Sequence, residues 1–474
     1  MITPTHADVA SNIELLSAWI EAQMAHRAEP GLSIGVVHDQ ALVWARGFGH
    51  ADLDNRVAAT ADTRYRIASV TKLFTATAIL ILRDAGRLQL DDPVDRHLPW
   101  FDIRQRHPDA PPITIRHLLT HTAGLPREAA FPYWTDDTFP TRDQVREALP
   151  RQEPVYPTET RWKYSNLALA VAGEIVAAVS GQSYEDFVRQ RILDPLGMRD
   201  TLVKAPDPED PRLAVGYGRR LPGSGRAVLG SAADFKGIAP AANMTSTVGD
   251  LAKFAMLQFR DGPAGGAQVL RGSTLREMQR VHWLDPDWKQ GWGLGFRVMR
   301  ERDATRIGHG GWAPGYRTQM LLCPADKTGV VVLGNAHDCD PVRYCDRAFR
   351  WVLPAVVARA ARKPRPAAPD PGWQRYVGRY RDAWSDTQVL VHNGELVIVD
   401  PSADDPLDTR ATLTPVAEHT FRYESDNGLR SRGELAVFEV DDAGRVQRLK
   451  LDENYTYPVT DWHALDVGSS RERQ

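Results

Sequence analysis

Runs of residues typical of β-strands occur near both ends of the first 360 residues, and few lie between them. The short polar turn Asp39-Gln40 separates the first two runs and predicts a hairpin. Apolar side chains at helical spacing predict a helix before them, at 11–26, and another helix follows the last run, at 341–358. The strand-like runs are 31–38, 41–47, 293–298, 305–308, 316–323 and 329–333. This order predicts an α+β fold, in which one antiparallel sheet is built from both ends of this region of about 360 residues and a mainly helical segment, about 90–290, is inserted between them.

The remainder of the chain predicts a second, smaller domain. A chain of 474 residues is longer than one ordinary domain, and the Pro-rich segment 361–371 has the composition of a linker. Beyond it, Asn393-Gly394 lies between two apolar runs, which is a strong hairpin signal. Further strands are expected at 411–416, 419–424, 433–440 and 445–451. We therefore expect a domain at 1–360, a linker at 361–371 and a small all-β domain, a barrel or a sandwich, at 372–474.

Charge, hydropathy and cysteine content exclude several classes of protein. The net charge is −3, the pI is near 6.5, and the basic residues are dispersed, so no electrostatic footprint for nucleic acid is present. No run approaches the ~18 apolar residues of a membrane span. The chain contains three cysteines, Cys323, Cys339 and Cys345. Their number is odd and their spacing is not that of a metal site, which favours a reduced setting. No basic region followed by an apolar core occurs near residue 1, and we therefore expect a cytoplasmic location.

The apolar stretch 66–82 reads as a helix that carries Ser69 and Lys72 on one face, one turn apart. A serine hydroxyl is a weak nucleophile that needs an adjacent base or cation. Lysine acts as the base if burial depresses its pKa, and as electrostatic support if not. The alternative is a coincidental pair on a solvated helix face. However, Ser69-x-x-Lys72 is the only such pair among nine lysines, and its apolar flanks predict a buried helix.

Tyr164 and Asn166 directly precede an apolar helix at 167–178 and form the only Tyr-x-Asn in the chain. Tyr164 would transfer a proton if neighbouring cations lower the pKa of its phenol. The amide of Asn166 would orient the lysine or the substrate. The alternative is an ordinary helix N-terminus that Ser165 or Asn166 caps.

A glycine-rich segment, 308–315, contains His309 and lies between two strand-like runs. Its glycines would let the backbone come close to a ligand, and the alternative is a flexible turn with an incidental histidine. A second pattern, His117 and His121, has the i, i+4 spacing of zinc ligands. Because Leu118 stands where the zincin pattern requires Glu, we expect no metal there.

In this order the three motifs resemble those of the serine β-lactamase and penicillin-binding-protein-like hydrolases, in the branch of class C β-lactamases, DD-carboxypeptidases, D-aminopeptidases and related esterases. Ser69-x-x-Lys72 matches the first motif and Tyr164-x-Asn166 the second, and 309–311 stands where Lys-Thr-Gly or His-x-Gly is expected. The resemblance covers about residues 11–358 and implies a β-lactamase-like sheet flanked by helices. Four further segments look similar to the family, of which the last resembles a β-barrel module appended to many relatives: 113–126, 194–198, 243–251 and 376–380.

The resemblance implies a mechanism. Ser69 would attack the carbonyl of a small ester, amide or peptide substrate, assisted by Lys72 and Tyr164, and form an acyl-enzyme; which of the two is the base stays open at this point. The backbone N–H groups of Ser69 and Trp312 would form the oxyanion hole. No metal or organic cofactor is required. The residues expected to contact the substrate or the oxyanion are Asn166, His309, Gly310, Gly311 and Trp312.

His309 also bears on the substrate class. It puts a group that titrates near pH 7 where a β-lactamase has a lysine that engages the substrate carboxylate, which favours an esterase or a D-amino-acid amidase or peptidase. A β-lactamase or DD-carboxypeptidase is the alternative, and an inactive binding or sensing relative is the non-enzyme alternative. The tripeptide Lys327-Thr328-Gly329 also matches the Lys-Thr-Gly form of the third motif. However, the residues before and after it are typical of the next turn and strand, so Lys327 is expected to be a solvated turn residue.

The pocket walls are expected to come from the loops around 127–160 and 205–240, where the substrate specificity would be decided. The aromatic residues Phe131, Tyr133 and Trp134 in the first loop either line an apolar acyl pocket or anchor the loop.

Overall fold

The computed structural model describes residues 7–221, 225–229, 233–262, 266–301, 304–361, 370–392, 394–401, 403, 409–425, 432–451 and 453–459. The chain divides into two compact units, Met1–Arg359 and Ala360–Gln474, each with its own apolar core. Most of the predicted linker, residues 362–369, lies outside the described residues.

In the described part of the first unit, nine strands form one antiparallel sheet in the order β3-β2-β1-β13-β12-β11-β10-β9-β8. Within the sheet, β1 pairs with β13, with Val36 opposite Val330, so strands from the two ends of this unit lie side by side. Two further pairs, β4 with β7 and β5 with β6, are short. The strands are β1 (Gly31–His38), β2 (Ala41–Asp52), β3 (Val57–Ala58), β4 (Tyr65–Arg66), β5 (Gly216–Tyr217), β6 (Val228–Leu229), β7 (Thr245–Ser246), β8 (Trp283–Leu284), β9 (Gln290–Trp292), β10 (Arg297–Glu301), β11 (Ala304–Ala313), β12 (Tyr316–Cys323) and β13 (Thr328–Gly334).

Helices cover both faces of this sheet and make up most of the insertion between β4 and β8. The bounds are α1 (Ala7–Arg27), α2 (Thr71–Asp84), α3 (Val94–His97), α4 (Ile115–Thr120), α5 (Tyr133–Asp136), α6 (Arg142–Ala148), α7 (Asn166–Ser180), α8 (Tyr184–Val188), α9 (Asp194–Leu196), α10 (Ala239–Ala242), α11 (Val248–Leu257), α12 (Gly272–Gln279), α13 (Pro341–Trp351) and α14 (Leu353–Ala361). A π-helical turn, Arg189–Leu193, joins α8 to α9.

The sheet separates two apolar clusters because successive side chains of a strand point to opposite faces. On β13, Val331 and Leu333 join the cluster that contains α2, α7 and α11. Val330 and Val332 join the cluster that contains α1 and α13. Every residue of α2 from Thr71 to Leu82 is buried, as its apolar sequence predicts. The predicted α+β fold, with a sheet built from both ends and a helical insertion, is confirmed.

Three local predictions are wrong. The run 293–298 is a strand only from Arg297, where β10 begins. The strand predicted at 305–308 continues as β11 to Ala313, so the His-Gly-Gly motif lies on a strand and the turn is Pro314-Gly315. The ladder with β12 extends the strand, which a reading of glycines as turn residues misses. Ser69 lies in a 3₁₀ turn, Ala68–Val70, that precedes α2 rather than in the α-helix itself.

The second unit is a closed barrel of eight antiparallel strands, so the sandwich alternative is wrong. The predicted hairpin is confirmed by the pairing of β15 with β16, although Asn393 itself lies outside the described residues. Its core includes Val389, Leu413 and Phe438. The strands are β14 (Gly378–Arg381), β15 (Asp386–His392), β16 (Glu395–Val399), β17 (Ala411–Ala417), β18 (Thr420–Glu424), β19 (Leu435–Val440), β20 (Val446–Leu451) and β21 (Asn454–Pro458).

Within the described ranges, no single helix is both long and apolar enough to cross a membrane. Asn166–Ser180 and Tyr184–Leu196 pass such a test of length and composition only when taken together, and they are bent by 80° relative to each other.

Candidate active site

A cavity of about 950 Å³ is lined by residues of both the helical insertion and the sheet. Lys72 is not itself a lining residue, but its side-chain nitrogen lies 3.0 Å from the Oγ of Ser69, which lines the cavity. The sequence-predicted site residues are therefore brought together in one place. Those that line the cavity are Ser69, Tyr164, Asn166, His309, Gly310, Gly311 and Trp312.

Two hydrogen bonds of the preceding residue, Ile67, fix the turn that carries Ser69. The N–H of Ile67 donates to the carbonyl of Met244 at 3.0 Å, and the hydroxyl of Thr318 donates to the carbonyl of Ile67 at 3.1 Å. Ala68 has a φ of 46°, a left-handed conformation that costs a non-glycine residue roughly 1–3 kcal/mol. The surrounding contacts hold this strained turn in place, and it leaves Ser69 partly exposed at the N-terminal end of α2, where the helix dipole favours negative charge.

Lys72 is fully buried, and its nitrogen has three close partners. It lies 3.0 Å from Ser69 Oγ, 2.7 Å from Asn166 Oδ1 and 2.8 Å from the carbonyl of Ala241. Burial holds the pKa of Lys72 well below its ordinary value, against the opposing effect of the Glu128 carboxylate. A neutral amine has two N–H donors and one lone pair. Since Asn166 Oδ1 and the Ala241 carbonyl only accept, they take both N–H groups, and the lone pair is left facing the Ser69 hydroxyl.

Tyr164 is hydrogen-bonded to Ser69 through its phenol, as its predicted role requires. The Lys72 nitrogen lies 4.9 Å from the centroid of its ring, and the Arg127 guanidinium lies 5.1 Å from the same centroid. The predicted direction of its pKa shift is nevertheless wrong. Burial raises the pKa of Tyr164 and outweighs both the hydrogen bond with Ser69 and the charge of Arg127. Tyr164 is therefore a neutral phenol, able to donate a proton and unsuited to take one.

Asn166 is the first residue of α7, and both sequence interpretations apply to this segment. The preceding Ser165 caps the helix, with its hydroxyl accepting from the N–H of Ala168 at 2.9 Å. Because Ser165 is the cap, the side chain of Asn166 does not cap the helix, and its amide bridges Lys72 and Glu128. Its oxygen accepts from Lys72, and its nitrogen donates to both carboxylate oxygens of Glu128, at 2.8 and 3.0 Å.

His309 is 5% exposed on β11, and its ring centroid lies 6.1 Å from that of Tyr164. Burial, reinforced by the positive charge of Lys72, lowers the pKa of His309 to about 3. The expectation that this group titrates near pH 7 is therefore wrong. The contact of Nδ1 with the Gly310 carbonyl at 2.6 Å requires the proton on Nδ1, so Nε2 is an acceptor, and it has no protein partner among the described residues.

Gly311 is the point at which β11 touches the serine turn. A Cβ at this position would overlap the carbonyl oxygen of Ile67 and the hydroxyl of Thr318. Only glycine lets the strand approach this closely. Gly310, one residue earlier, has more space, because the nearest atom to a Cβ there is the amide oxygen of Gln319 at 2.9 Å.

The last part of β11 has one open edge. β10 begins at Arg297, opposite Gly308, so in the described sheet residues 309–313 pair on one side only, with β12. Ala313 and Tyr316 lie opposite each other and close a two-residue hairpin. The residues that close such a turn are expected to be hydrogen-bonded to each other, and hydrogen-bonded pairs alternate along an antiparallel ladder. This alternation directs the N–H of Trp312 toward the open edge. The Trp312 indole is 52% exposed and donates to His337 at 3.3 Å.

The sequence patterns predict only part of the cavity wall. Trp134, one of the aromatic residues expected there, lines the cavity, and so does Glu128 of the same loop, which no sequence pattern predicts. The described part of 205–240, the second loop expected to form a wall, contributes none of the lining residues. Tyr133 is fully buried and anchors the loop. Trp162 and Trp292 stack 5.1 Å apart at 19°, on segments distant in sequence. Long-range packing brings them together, and neither carries a local sequence signal.

The remaining motifs have structural roles. The side chain of His117 takes part in the N-terminal cap of α4, and Nδ1 of His121 accepts from the N–H of Ser165 at 3.2 Å. His121 also packs against the Tyr164 ring, 4.4 Å away. Lys327 lies in the turn between β12 and β13, and its side chain is 52% exposed and faces Asp39, as predicted.

An antiparallel sheet with a helical insertion, and a serine flanked by lysine and tyrosine where the two meet, define the class of β-lactamase-like proteins. The chain belongs to the β-lactamase family, whose model matches residues 16–349.

Individual relatives agree with this assignment. Beta-lactamase-like protein 2 of Dictyostelium discoideum is 30% identical over 304 residues, which are 62% of this chain and 54% of that protein. The octameric penicillin-binding protein homologue from Pyrococcus abyssi has a TM-score of 0.64 at 25% identity, covering 94% of this chain and 99% of that chain. The D-amino acid amidase from Ochrobactrum anthropi SV3, in complex with L-phenylalanine amide, has a TM-score of 0.61 at 27% identity, covering 75% and 100%. The chain thus spans just over half the length of the curated relative.

Proposed function

We propose that this chain is a serine hydrolase that cleaves esters or amides of small substrates through an acyl-enzyme on Ser69. The observation that carries the proposal is the arrangement around Lys72. Its two acceptor partners, Asn166 Oδ1 and the Ala241 carbonyl, leave the lone pair of the neutral amine to Ser69, 3.0 Å away. A buried amine with a depressed pKa is the activated base that a serine nucleophile requires.

The steps follow from these protonation states. Lys72 takes the hydroxyl proton as Ser69 Oγ bonds to the substrate carbonyl carbon. The bond from that carbon to the leaving oxygen or nitrogen then breaks, and the leaving group takes a proton from the Tyr164 phenol, to which the protonated Lys72 returns a proton. Water then attacks the acyl carbon and gives up a proton to Lys72. The bond from that carbon to Ser69 Oγ breaks, the acid leaves, and Ser69 Oγ regains its proton from Lys72.

The oxyanion is assigned to two backbone N–H groups, those of Ser69 and Trp312. The first lies near the N-terminal end of α2, where the helix dipole favours negative charge. The second is directed to the open edge of β11 by the alternation of the ladder. Two such donors, held by the fold, stabilise the charge that develops on the carbonyl oxygen.

The aromatic residues in the cavity wall favour substrates that are amides or esters with an apolar or aromatic group. Trp134, Trp162 and Trp292 line it, and aromatic walls bury apolar ligand surface. The likeness to a D-amino acid amidase supports amides of amino acids as one substrate class. The neutral His309 supplies no cation for a substrate carboxylate, which weakens the case for a β-lactamase.

A second candidate, β-lactam or D-Ala-D-Ala chemistry, is favoured by a separate observation. The guanidinium groups of Arg297 and Arg317 line the cavity, and neither forms an ion pair with a described carboxylate. Such groups suit a substrate that ends in a carboxylate.

Mass spectrometry of the intact protein separates these possibilities, after exposure to p-nitrophenyl butyrate, a fluorophosphonate or a penicillin. We expect a fluorophosphonate adduct on Ser69 and turnover of the ester, with both lost in Ser69→Ala while the melting temperature is kept. A stable penicillin adduct on Ser69 would favour the second candidate. No adduct from any reagent would contradict both and favour an inactive binding relative.

A further inference from the structure

Glu128 is an acidic side chain in the wall of the cavity, directly behind Asn166. Its carboxylate accepts both hydrogen bonds from the Asn166 amide nitrogen, and the hydroxyl of Tyr133 donates to its second oxygen. Arg127 Nε lies 3.2 Å from its first oxygen, and the side chain is 24% exposed. Three neighbours therefore hold this carboxylate in one position.

The backbone beneath Glu128 is fastened to the start of α7. The carbonyl of Arg127 accepts from the N–H of Asn166 at 2.7 Å, and the hydroxyl of Ser165 donates to the carbonyl of Pro126 at 2.6 Å. The loop that carries Glu128 and the N-terminal end of α7, which carries Asn166, are thus held together by these hydrogen bonds. Their relative placement comes from the fold and does not depend on a flexible side chain alone.

A carboxylate only accepts hydrogen bonds, so the amide next to it must present its NH₂ group. The Asn166 oxygen then has to face the other way, toward Lys72. If the amide turned over, its NH₂ group would face the Lys72 amine and compete with the Ser69 hydroxyl for the lone pair. The orientation of Asn166 therefore decides whether that lone pair is available to the nucleophile.

We propose that Glu128 is a positioning residue, which fixes the Asn166 amide and through it aims the Lys72 amine at Ser69. This inference rests on the proposed function, since positioning matters only if Ser69 is the nucleophile.

The charge of Glu128 also acts on Lys72. The charged and titratable groups around this amine come from four segments: Glu128 and Arg127 from the loop, Tyr164 before α7, His121 after α4 and His309 on β11. Burial and Arg127 lower the pKa of Lys72, whereas Glu128 raises it. Loss of this negative charge must therefore lower the pKa further.

Three variants separate charge from geometry. Glu128→Gln keeps the size of the side chain and removes its charge, and Glu128→Asp keeps the charge and shortens the arm. Glu159→Gln is the matched control, because that carboxylate faces His117 instead. The pKa of Lys72 is measured by NMR titration of ¹³Cε-lysine-labelled protein, which has nine lysines, with the Lys72 signal assigned by Lys72→Arg. The pH profiles of kcat and KM are measured with p-nitrophenyl butyrate.

In Glu128→Gln we expect the pKa of Lys72 to fall by about one unit, the lower end of what an opposite charge within ~4–6 Å contributes. The acid limb of the rate profile should move to lower pH with it. The plateau of kcat should fall by up to about 100-fold, since misplaced groups cost rates of this order, with little change in KM. Glu128→Asp should keep the Lys72 pKa and lose kcat, and Glu159→Gln should behave as the wild type.

An unmoved Lys72 pKa with unchanged kcat in a folded Glu128→Gln protein would overturn the inference. So would an effect confined to the KM of cationic substrates, such as D-phenylalanine amide, because Glu128 would then bind the substrate amine. The Lys72 titration needs no turnover, so the two proposals fail in different ways. A wild type that resists the fluorophosphonate contradicts the hydrolase, whereas an unmoved Lys72 pKa together with an unchanged kcat in Glu128→Gln contradicts the role of Glu128.

Discussion

Burial favours the neutral form of three neighbouring side chains, Lys72, Tyr164 and His309. It lowers the pKa of Lys72, raises that of Tyr164 and lowers that of His309 to about 3. A neutral amine takes protons and a neutral phenol gives them. The same physical effect thus separates the two groups into a base and an acid, and it supports Lys72 as the base.

Tyr164→Phe tests this division. We expect kcat/KM for p-nitrophenyl butyrate to fall by about 10²–10⁴-fold, because the proton donor for the leaving group is lost. The acid limb of the pH–rate profile, in which the rate rises as Lys72 loses its proton, should stay at the same pH, because Lys72 is unchanged in this variant. Tyr184→Phe is the control, since Tyr184 is also buried and hydrogen-bonded, to Thr75. A shifted acid limb in Tyr164→Phe would show that the phenol is the titrating base.

At the scale of elements, the site depends on how closely β11 approaches the turn of Ser69. Gly311 makes the contact, and Thr318 on β12 reaches across it to the Ile67 carbonyl. The strand thereby supports the turn and presents its open edge to the cavity. The glycine is needed for space, because a side chain there would push the two elements apart.

Gly311→Ala should therefore destabilise the protein by about 1–3 kcal/mol, the usual cost of overpacking, and slow the labelling of Ser69. Gly310→Ala is the matched control, because a Cβ there meets the movable end of Gln319. Urea unfolding and the rate of fluorophosphonate labelling measure the two effects. Equal behaviour of both variants would contradict the close contact at Gly311.

At the scale of the whole molecule, each unit has a complete apolar core. All described residues that line the cavity lie in the first unit, between Ser69 and Val342. The barrel closes its own sheet and so leaves few unpaired strand edges. The chemistry is thus assembled within the first unit.

We expect a protein truncated after Ala361 to fold and to label Ser69 at the rate of the full chain. The readouts are a cooperative thermal melt and the kinetics of fluorophosphonate labelling, with Ser69→Ala in both lengths as the blank. A truncated protein that melts cooperatively but labels more slowly would show that residues beyond 361 contribute to the site.

The sequence by itself determines the fold class and the three motifs. The distribution of strand-like runs predicts a sheet built from both ends, and the pairing of β1 with β13 has that form. Ser69 and Lys72 are one helical turn apart, so their contact follows from local geometry. The order of the motifs also distinguishes His309 on β11 from Lys327 in the next turn.

Only the tertiary structure decides the protonation states and the walls of the cavity. The pKa of Tyr164 depends on how much water and which charges surround it, and these come from segments far apart in the chain. Glu128 is one acidic residue among 61 in the sequence. It acquires a role because folding puts its carboxylate behind Asn166, at the end of a chain of hydrogen bonds that leads through Lys72 to Ser69.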